Sequence, residues 1–144
     1  MRFVIASVGR ERADPAASLV ADYLARIRKR FPIEEAVQRD DRRLAARLAD
    51  DRQRGHRIVA LDEHGPQHDS PAFAALLQSW MNAGRRGVTF AIGGADGLPA
   101  ELLAAVDESL GLSRMTLPHR LARLVLAEQI YRALEILGGS PYHK

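Results

Sequence analysis

The residue types that could do chemistry crowd into the last third of the chain. Gly93-Gly94-Ala95-Asp96-Gly97 follows an apolar run and precedes a helical pattern. Glycine there lets the backbone lie against a ligand with no Cβ in the way. Leu112-Ser113-Arg114-Met115-Thr116-Leu117-Pro118-His119 mixes apolar side chains with hydroxyls, a guanidinium and an imidazole. Glu128, Gln129 and Arg132 interrupt a stretch rich in Leu, Val and Ile, with Glu128 and Arg132 at the i,i+4 spacing of an intrahelical ion pair. The chain closes on Gly138-Gly139-Ser140-Pro141-Tyr142-His143-Lys144, a turn followed by a phenol, an imidazole and an ammonium. That order suggests a placed terminus with a job.

Several chemistries are set aside by pattern. The Gly93 stretch is neither the GxGxxG of dinucleotide binding nor a P-loop, which needs Gly-Lys-Ser/Thr. Ser113 and His119 lack the Gly-x-Ser-x-Gly setting of a hydrolase nucleophile. His64, His68 and Asp69 share a Gly/Pro loop without a regular third ligand, so no metal is expected. The 144 residues include no cysteine, which removes disulfides, thiolate sites and Cys-based covalent catalysis. A chain of this length is one ordinary domain, 1–144, able to bury a full core. No apolar run approaches the ~18 residues of a membrane span, and Met1 to Arg10 reads as a first strand and not a signal segment. A cytoplasmic location is the expectation.

Net charge is +3 but unevenly placed. Residues 1–60 hold 14 Lys/Arg against 9 Asp/Glu, and residues 61–144 hold 7 against 9. A basic half beside a near-neutral half fits a polyanion partner for the first and a small-molecule site in the second. Arg10, Arg12, Arg26, Arg28 and Arg30 are the candidates for phosphate contact.

The elements that must position these groups alternate. Phe3–Val8 reads as a buried strand. Asp14-Pro15 opens a helix that stops before Phe31-Pro32. Ile33–Val37 is a strand, Asp41–Arg54 an amphipathic helix stopped by Gly55, and Arg57–Leu61 a strand. Ser70-Pro71 starts a helix with Ser70 as its cap. Val88–Ile92 is a strand, Pro99–Val106 a helix, Gly111–Ser113 a short strand end, and Pro118–Leu137 the final helix. Five strands alternating with helices predict a parallel α/β sheet flanked by helices. Ligands of such sheets bind at the carboxyl ends of the strands, so the loops after Leu61, Ile92 and Leu112 should gather there. The last helix is apolar on more than one face, which predicts burial by the sheet and by a second subunit.

Four of these stretches together resemble one family. Ile92-Gly93-Gly94, Met115-Thr116-Leu117-Pro118-His119, Glu128-Gln129-Ile130-Tyr131-Arg132-Ala133 and Pro141-Tyr142-His143-Lys144 resemble, in order, the ribosomal RNA large subunit methyltransferase H family. These are the smallest of the SPOUT, or α/β-knot, methyltransferases. The resemblance spans the whole chain and is least specific between Ile33 and Gly55. It implies a SPOUT-type α/β knot with a C-terminal trefoil knot and a homodimer. It also implies transfer of a methyl group from S-adenosylmethionine to N3 of a pseudouridine in 23S ribosomal RNA, on assembled ribosomes. Its cofactor contacts fall on Leu61, Gly93, Leu112, Ser113, Arg114, Met115, Thr116 and Leu117.

Chemistry agrees with that mapping. Leu61, Leu112, Met115 and Leu117 could give adenine an apolar slot. Transfer to nitrogen is a direct displacement that needs no covalent cysteine adduct. His143 is the first candidate for taking or guiding the N3 proton, because imidazole titrates near neutral pH. Arg132, Tyr142 and Lys144 are candidates for holding uracil or phosphate oxygens. The rival reading is a ribosome- or RNA-binding α/β protein that transfers nothing.

Overall fold

The computed structural model describes residues 1–9 and 14–144. Strand β1 (Arg2–Val8) leads to helix α1 (Pro15–Arg28), then β2 (Ile33–Gln38), α2 (Asp41–Gln53), β3 (His56–Leu61) and α3 (Ser70–Asn82). The chain continues through β4 (Gly87–Ile92), α4 (Ala100–Ala105), β5 (Glu108–Leu110) and α5 (His119–Leu137). All strand pairings are parallel and the sheet order is β2-β1-β4-β3-β5.

Strand alternation sorts the core into two layers. Phe3 and Ile5 of β1 join Val20, Leu24 and Ile27 of α1, Phe73, Leu77 and Trp80 of α3, and Leu126, Ile130 and Leu134 of α5 on one face. Val4 and Ala6 join Leu44 and Leu48 of α2 and Leu102 of α4 on the other. A strand covered on both faces needs apolar residues at every position, and Phe3 to Ala6 is such a run. Helix starts follow the capping rule: Asp14 accepts from Ala17 N at 3.0 Å and Asp40 from Arg43 N at 2.8 Å.

Two expectations are corrected. Asp69, not Ser70, caps α3, because its carboxylate accepts from Ala72 N at 2.8 Å. Ser70 is thereby free to donate to Gln129 Oε1 of α5 at 2.6 Å. The last strand is Glu108–Leu110, not Gly111–Ser113. It is fixed by Glu108 pairing with Arg57 of β3 and by the Asp107 carboxylate, which accepts from Ile58 N at 2.7 Å. Burial raises the Asp107 pKa, but that hydrogen bond and the ion pair with Arg52 outweigh it and hold the group below its ordinary value.

One polar chain runs through the interior at the amino end of the sheet. Thr89 donates to Asp51 Oδ2 at 2.8 Å, and His56 Nδ1 lies 3.0 Å from the Thr89 hydroxyl. The hydroxyl has spent its only proton on Asp51, so Nδ1 must be the donor and the ring is neutral with Nε2 bare or, if charged, protonated at both. Burial pushes the His56 pKa down, favouring the neutral ring. Gly87 is required beside it, because a Cβ there would lie 2.6 Å from Arg2 O and from the His56 ring. Among the described residues no helix is long and apolar enough to cross a membrane.

Candidate active site

Three loops converge at the carboxyl ends of β3, β4 and β5. The loop after β4 is folded tightly on itself, with Gly97 N donating to Gly94 O at 3.0 Å and Gly97 at φ 74°. A Cβ on Gly93 would fall 2.3 Å from Gly97 C and 2.5 Å from Leu98 N. Gly93 is therefore demanded by the loop's own backbone, and its missing side chain faces that backbone. The loop after β3 crosses the end of β5 equally closely: Gly111 N donates to Pro66 O, and a Cβ on Gly111 would meet Gly65 O at 2.7 Å. The loop after β5 is held by Met115 N donating to Ser113 Oγ at 2.9 Å and by Thr116 donating to Glu63 at 2.6 Å.

Between these loops and the start of α5 lies a cavity of about 780 Å³. That is the size range of a cofactor site. Leu61, Gly93, Leu112, Ser113, Met115, Thr116 and Leu117 all line it. Arg114 does not; it lies with Glu63, His64, Gly65 and Gln67 around a neighbouring polar depression. The sequence reading missed Asp62, Glu63, Asp96, Leu98 and Leu103 as wall residues. Asp62 was findable, because it directly follows Leu61 in the chain. Leu103 comes from α4 and needed the tertiary fold. Walls that combine apolar side chains with three carboxylates suit an organic cation with a flat apolar part.

Arg132, Tyr142 and His143 form a second constellation, at the far end of α5 and in the tail that follows it. Arg132 bonds Glu128 through Nε at 2.9 Å and Nη2 at 2.7 Å, and the Tyr142 hydroxyl donates to the same carboxylate oxygen at 3.1 Å. The Tyr142 ring packs edge-on against Tyr131, centroids 4.8 Å apart, with the Arg132 guanidinium over its face at 4.8 Å. Burial, with hydrogen bonds to Tyr23 and Glu128, pushes the Tyr142 phenol up to about 12. It is thus a neutral donor at working pH. His143 Nδ1 lies 3.1 Å from Arg132 Nη1. A guanidinium only donates, so Nδ1 accepts and the neutral ring carries its proton on Nε2. In this arrangement His143 offers a hydrogen-bond donor at Nε2. Arg30 of the α1–β2 turn holds the tail's base by donating to Leu134 O at 2.9 Å.

None of the three lines the cavity. At 1.5 Å rise per residue, Arg132 is about 20 Å along α5 from His119 at the cavity wall. On one chain the two constellations are separate. Between them α5 exposes Leu121, 47% accessible, and Val125, 36%, while Leu19 of the adjoining α1 is 51% accessible.

Fold and cavity define a class: a parallel α/β protein that receives a cationic small molecule where three strand-end loops meet. Known proteins narrow it. The family model described as "Predicted SPOUT methyltransferase" matches residues 1–143. Ribosomal RNA large subunit methyltransferase H of Paracoccus denitrificans is 44% identical over 155 residues, covering 100% of this chain and 99% of the relative. Its counterpart in Sorangium cellulosum is 42% identical, covering 99% of both chains. Among solved structures, the SpoU methyltransferase AviRb of Streptomyces viridochromogenes in complex with AdoMet superposes with a TM-score of 0.52 at 14% identity, over 96% of this chain and 58% of that one. The A. aeolicus TrmH/SpoU tRNA modifying enzyme gives 0.55 at 11% identity, over 99% and 81%. The chain belongs to the SPOUT methyltransferases and, within them, to the ribosomal RNA large subunit methyltransferase H family.

Proposed function

We propose that this protein is an S-adenosylmethionine-dependent methyltransferase of 23S ribosomal RNA, acting on N3 of a pseudouridine in assembled ribosomes. The observation that carries the reading is the cavity. Its walls fit the donor: Asp62, Glu63 and Asp96 match a sulfonium and an ammonium, and Leu61, Leu112, Met115 and Leu117 match an adenine. When bound, the donor supplies an electrophilic methyl group on sulfur. Gly93, Ser113 and Thr116 would offer backbone and hydroxyl groups to its polar edges. The proposal covers one domain and the trefoil knot near the C-terminus.

The acceptor side falls to Arg132, Tyr142 and His143. Loss of the N3 proton to solvent puts negative charge on the flanking uracil oxygens. The His143 Nε2–H and the spare Arg132 donors can hold those oxygens, favouring the anion that attacks. Tyr142 fixes both by bonding Glu128 and packing between the Tyr131 ring, met edge-on, and the Arg132 guanidinium. Because these groups and the cavity lie apart on one chain, the working unit is a homodimer. Its interface uses the exposed apolar residues of α5 and α1, and one subunit's tail serves the partner's cavity. Calorimetry tests the first step: S-adenosylmethionine should bind once per chain, and the Leu112→Asp variant should bind far more weakly. A wild-type protein with no measurable heat of binding would rule the reading out.

A further inference from the structure

The arginines named from sequence as phosphate contacts are differently used. Arg10 and Arg12 lie outside the described residues. Arg26 pairs with Asp22 and covers the rings of Tyr23 and Tyr131, Arg28 donates to Ile33 O, and Arg30 holds α5. The cationic surplus sits elsewhere, at the amino end of the sheet. There Arg2 begins β1, Arg54 ends α2, and Arg85-Arg86 precede β4. Since β1, β4 and β3 are adjacent, these residues share one place. Arg2 N donates to Arg86 O at 3.0 Å, Arg86 N donates to Gly55 O, and the Arg86 stem lies against Gly55.

Pairing separates these four from their neighbours. Arg47, Arg52 and Arg57 each meet a carboxylate squarely, at Glu34 and Asp51, Asp107, and Glu108. Arg85 and Arg86 are exposed and make no side-chain hydrogen bond or ion pair among the described residues. Arg54, 68% accessible, reaches only to 3.9 Å from Asp51, and Arg2 to 3.6 Å from Glu34. Both carboxylates are already bonded by Arg47. A solvated face would intersperse acidic residues, as Asp40 and Asp41 are interspersed among Arg39, Arg42 and Arg43 on the β2–α2 turn. Here the only carboxylates within reach among the described residues, Glu34 and Asp51, are already held by Arg47.

We infer that the amino end of the sheet is a second RNA-contact surface, where Arg2, Arg54, Arg85 and Arg86 bind backbone phosphates away from the methyl-transfer site. It rests on the RNA substrate proposed above and adds where the RNA is held. Six-residue strands separate this surface from the cavity by about 20 Å. Guanidinium forks suit phosphate, and the contact carries affinity without sequence preference.

The test is salt-dependent binding to purified 70S ribosomes by the triple variant Arg54→Gln, Arg85→Gln, Arg86→Gln. Each lost contact removes about 0.7–0.9 from the log–log slope, so the slope should fall by roughly 2–3 and affinity at 0.1 M salt by about a hundredfold. S-adenosylmethionine affinity and melting temperature should match wild type. The three lysine variants together should recover most of the slope. The control triple Arg39→Gln, Arg42→Gln, Arg43→Gln should lose much less. An unchanged slope, a lysine variant as weak as the glutamine one, or an equal loss in the control would overturn the inference. Absence of ribosome binding by the wild type would instead overturn the RNA-methyltransferase reading on which it stands.

Discussion

Replacing Gly93 by alanine separates a backbone requirement from a ligand contact. The added Cβ would stand 2.3 Å from Gly97 C, and real Cβ atoms essentially never come within 3.0 Å. The Gly93–Leu98 loop must therefore open by at least about 0.7 Å, against the Gly97 N to Gly94 O hydrogen bond that closes it. Forced overpacking of this kind costs about 1–3 kcal/mol. At roughly 3–4 °C per kcal/mol for a chain this size, the melting temperature should drop by about 3–12 °C. The same opening moves a wall of the cavity by most of an ångström, and misplacement by about 1 Å can cost on the order of 10²-fold in rate. Stability and donor affinity should fall together. Gly94→Ala is the matched comparison, since its Cβ meets only the Val8 side chain, no closer than 3.6 Å, and Gly94 is not at positive φ. It should melt within about 2 °C of wild type. Scanning calorimetry and titration with S-adenosylmethionine on both variants decide the matter. A Gly93→Ala protein that melts with wild type would refute the steric reasoning.

Removing Tyr142-His143-Lys144 should leave donor binding nearly intact while single-turnover methylation falls by about 10²–10³-fold, the cost of losing a donor to the developing anion; a lower melting temperature with turnover per folded molecule preserved would make the tail a strap only. Exposed Leu121 and Val125 predict that Leu121→Glu with Val125→Glu converts a dimer to a monomer, and a wild-type monomer in sedimentation equilibrium at micromolar concentration would contradict it. Burial lowers the folded-state pKa of His56 beneath its unfolded value of about 6.5, so the unfolded chain takes up the proton first as pH falls. Stability is then full above about pH 6.5 and declines below it. His56→Gln should lower the melting temperature at about pH 8 but flatten its fall toward pH 5.5, and parallel curves would discount the histidine.

What the sequence showed, and what it hid, follows from where each signal lives. The Phe3–Ala6 run is apolar at every position because both faces are covered, so composition alone reveals the strand. The gathering of the Leu61, Ile92 and Leu112 loops follows from a general rule of parallel sheets, and the cavity is there. Strand β5 was misplaced because its Glu108 and Ser109 carry no apolar signal and their place depends on Arg57 and on the distant Ile58 amide. The Glu128–Arg132 pair was legible in its spacing. The return of Tyr142 onto Tyr131 was not, since it needs the Gly138 turn and Arg30 from across the molecule. A Cβ on Gly138 would lie 2.3 Å from the Arg30 guanidinium. Charge counting found a basic half, but only the partners of Arg26, Arg28 and Arg30 show that those cations are already engaged.

The most direct measurement follows a labelled methyl group from S-adenosylmethionine into ribosomes that lack the modification, with the product nucleoside located by digestion and mass spectrometry. The account predicts label in 23S ribosomal RNA, on N3 of a pseudouridine, from 70S particles and dependent on His143. Label on another RNA or another atom, or none from a protein that binds S-adenosylmethionine, would contradict it.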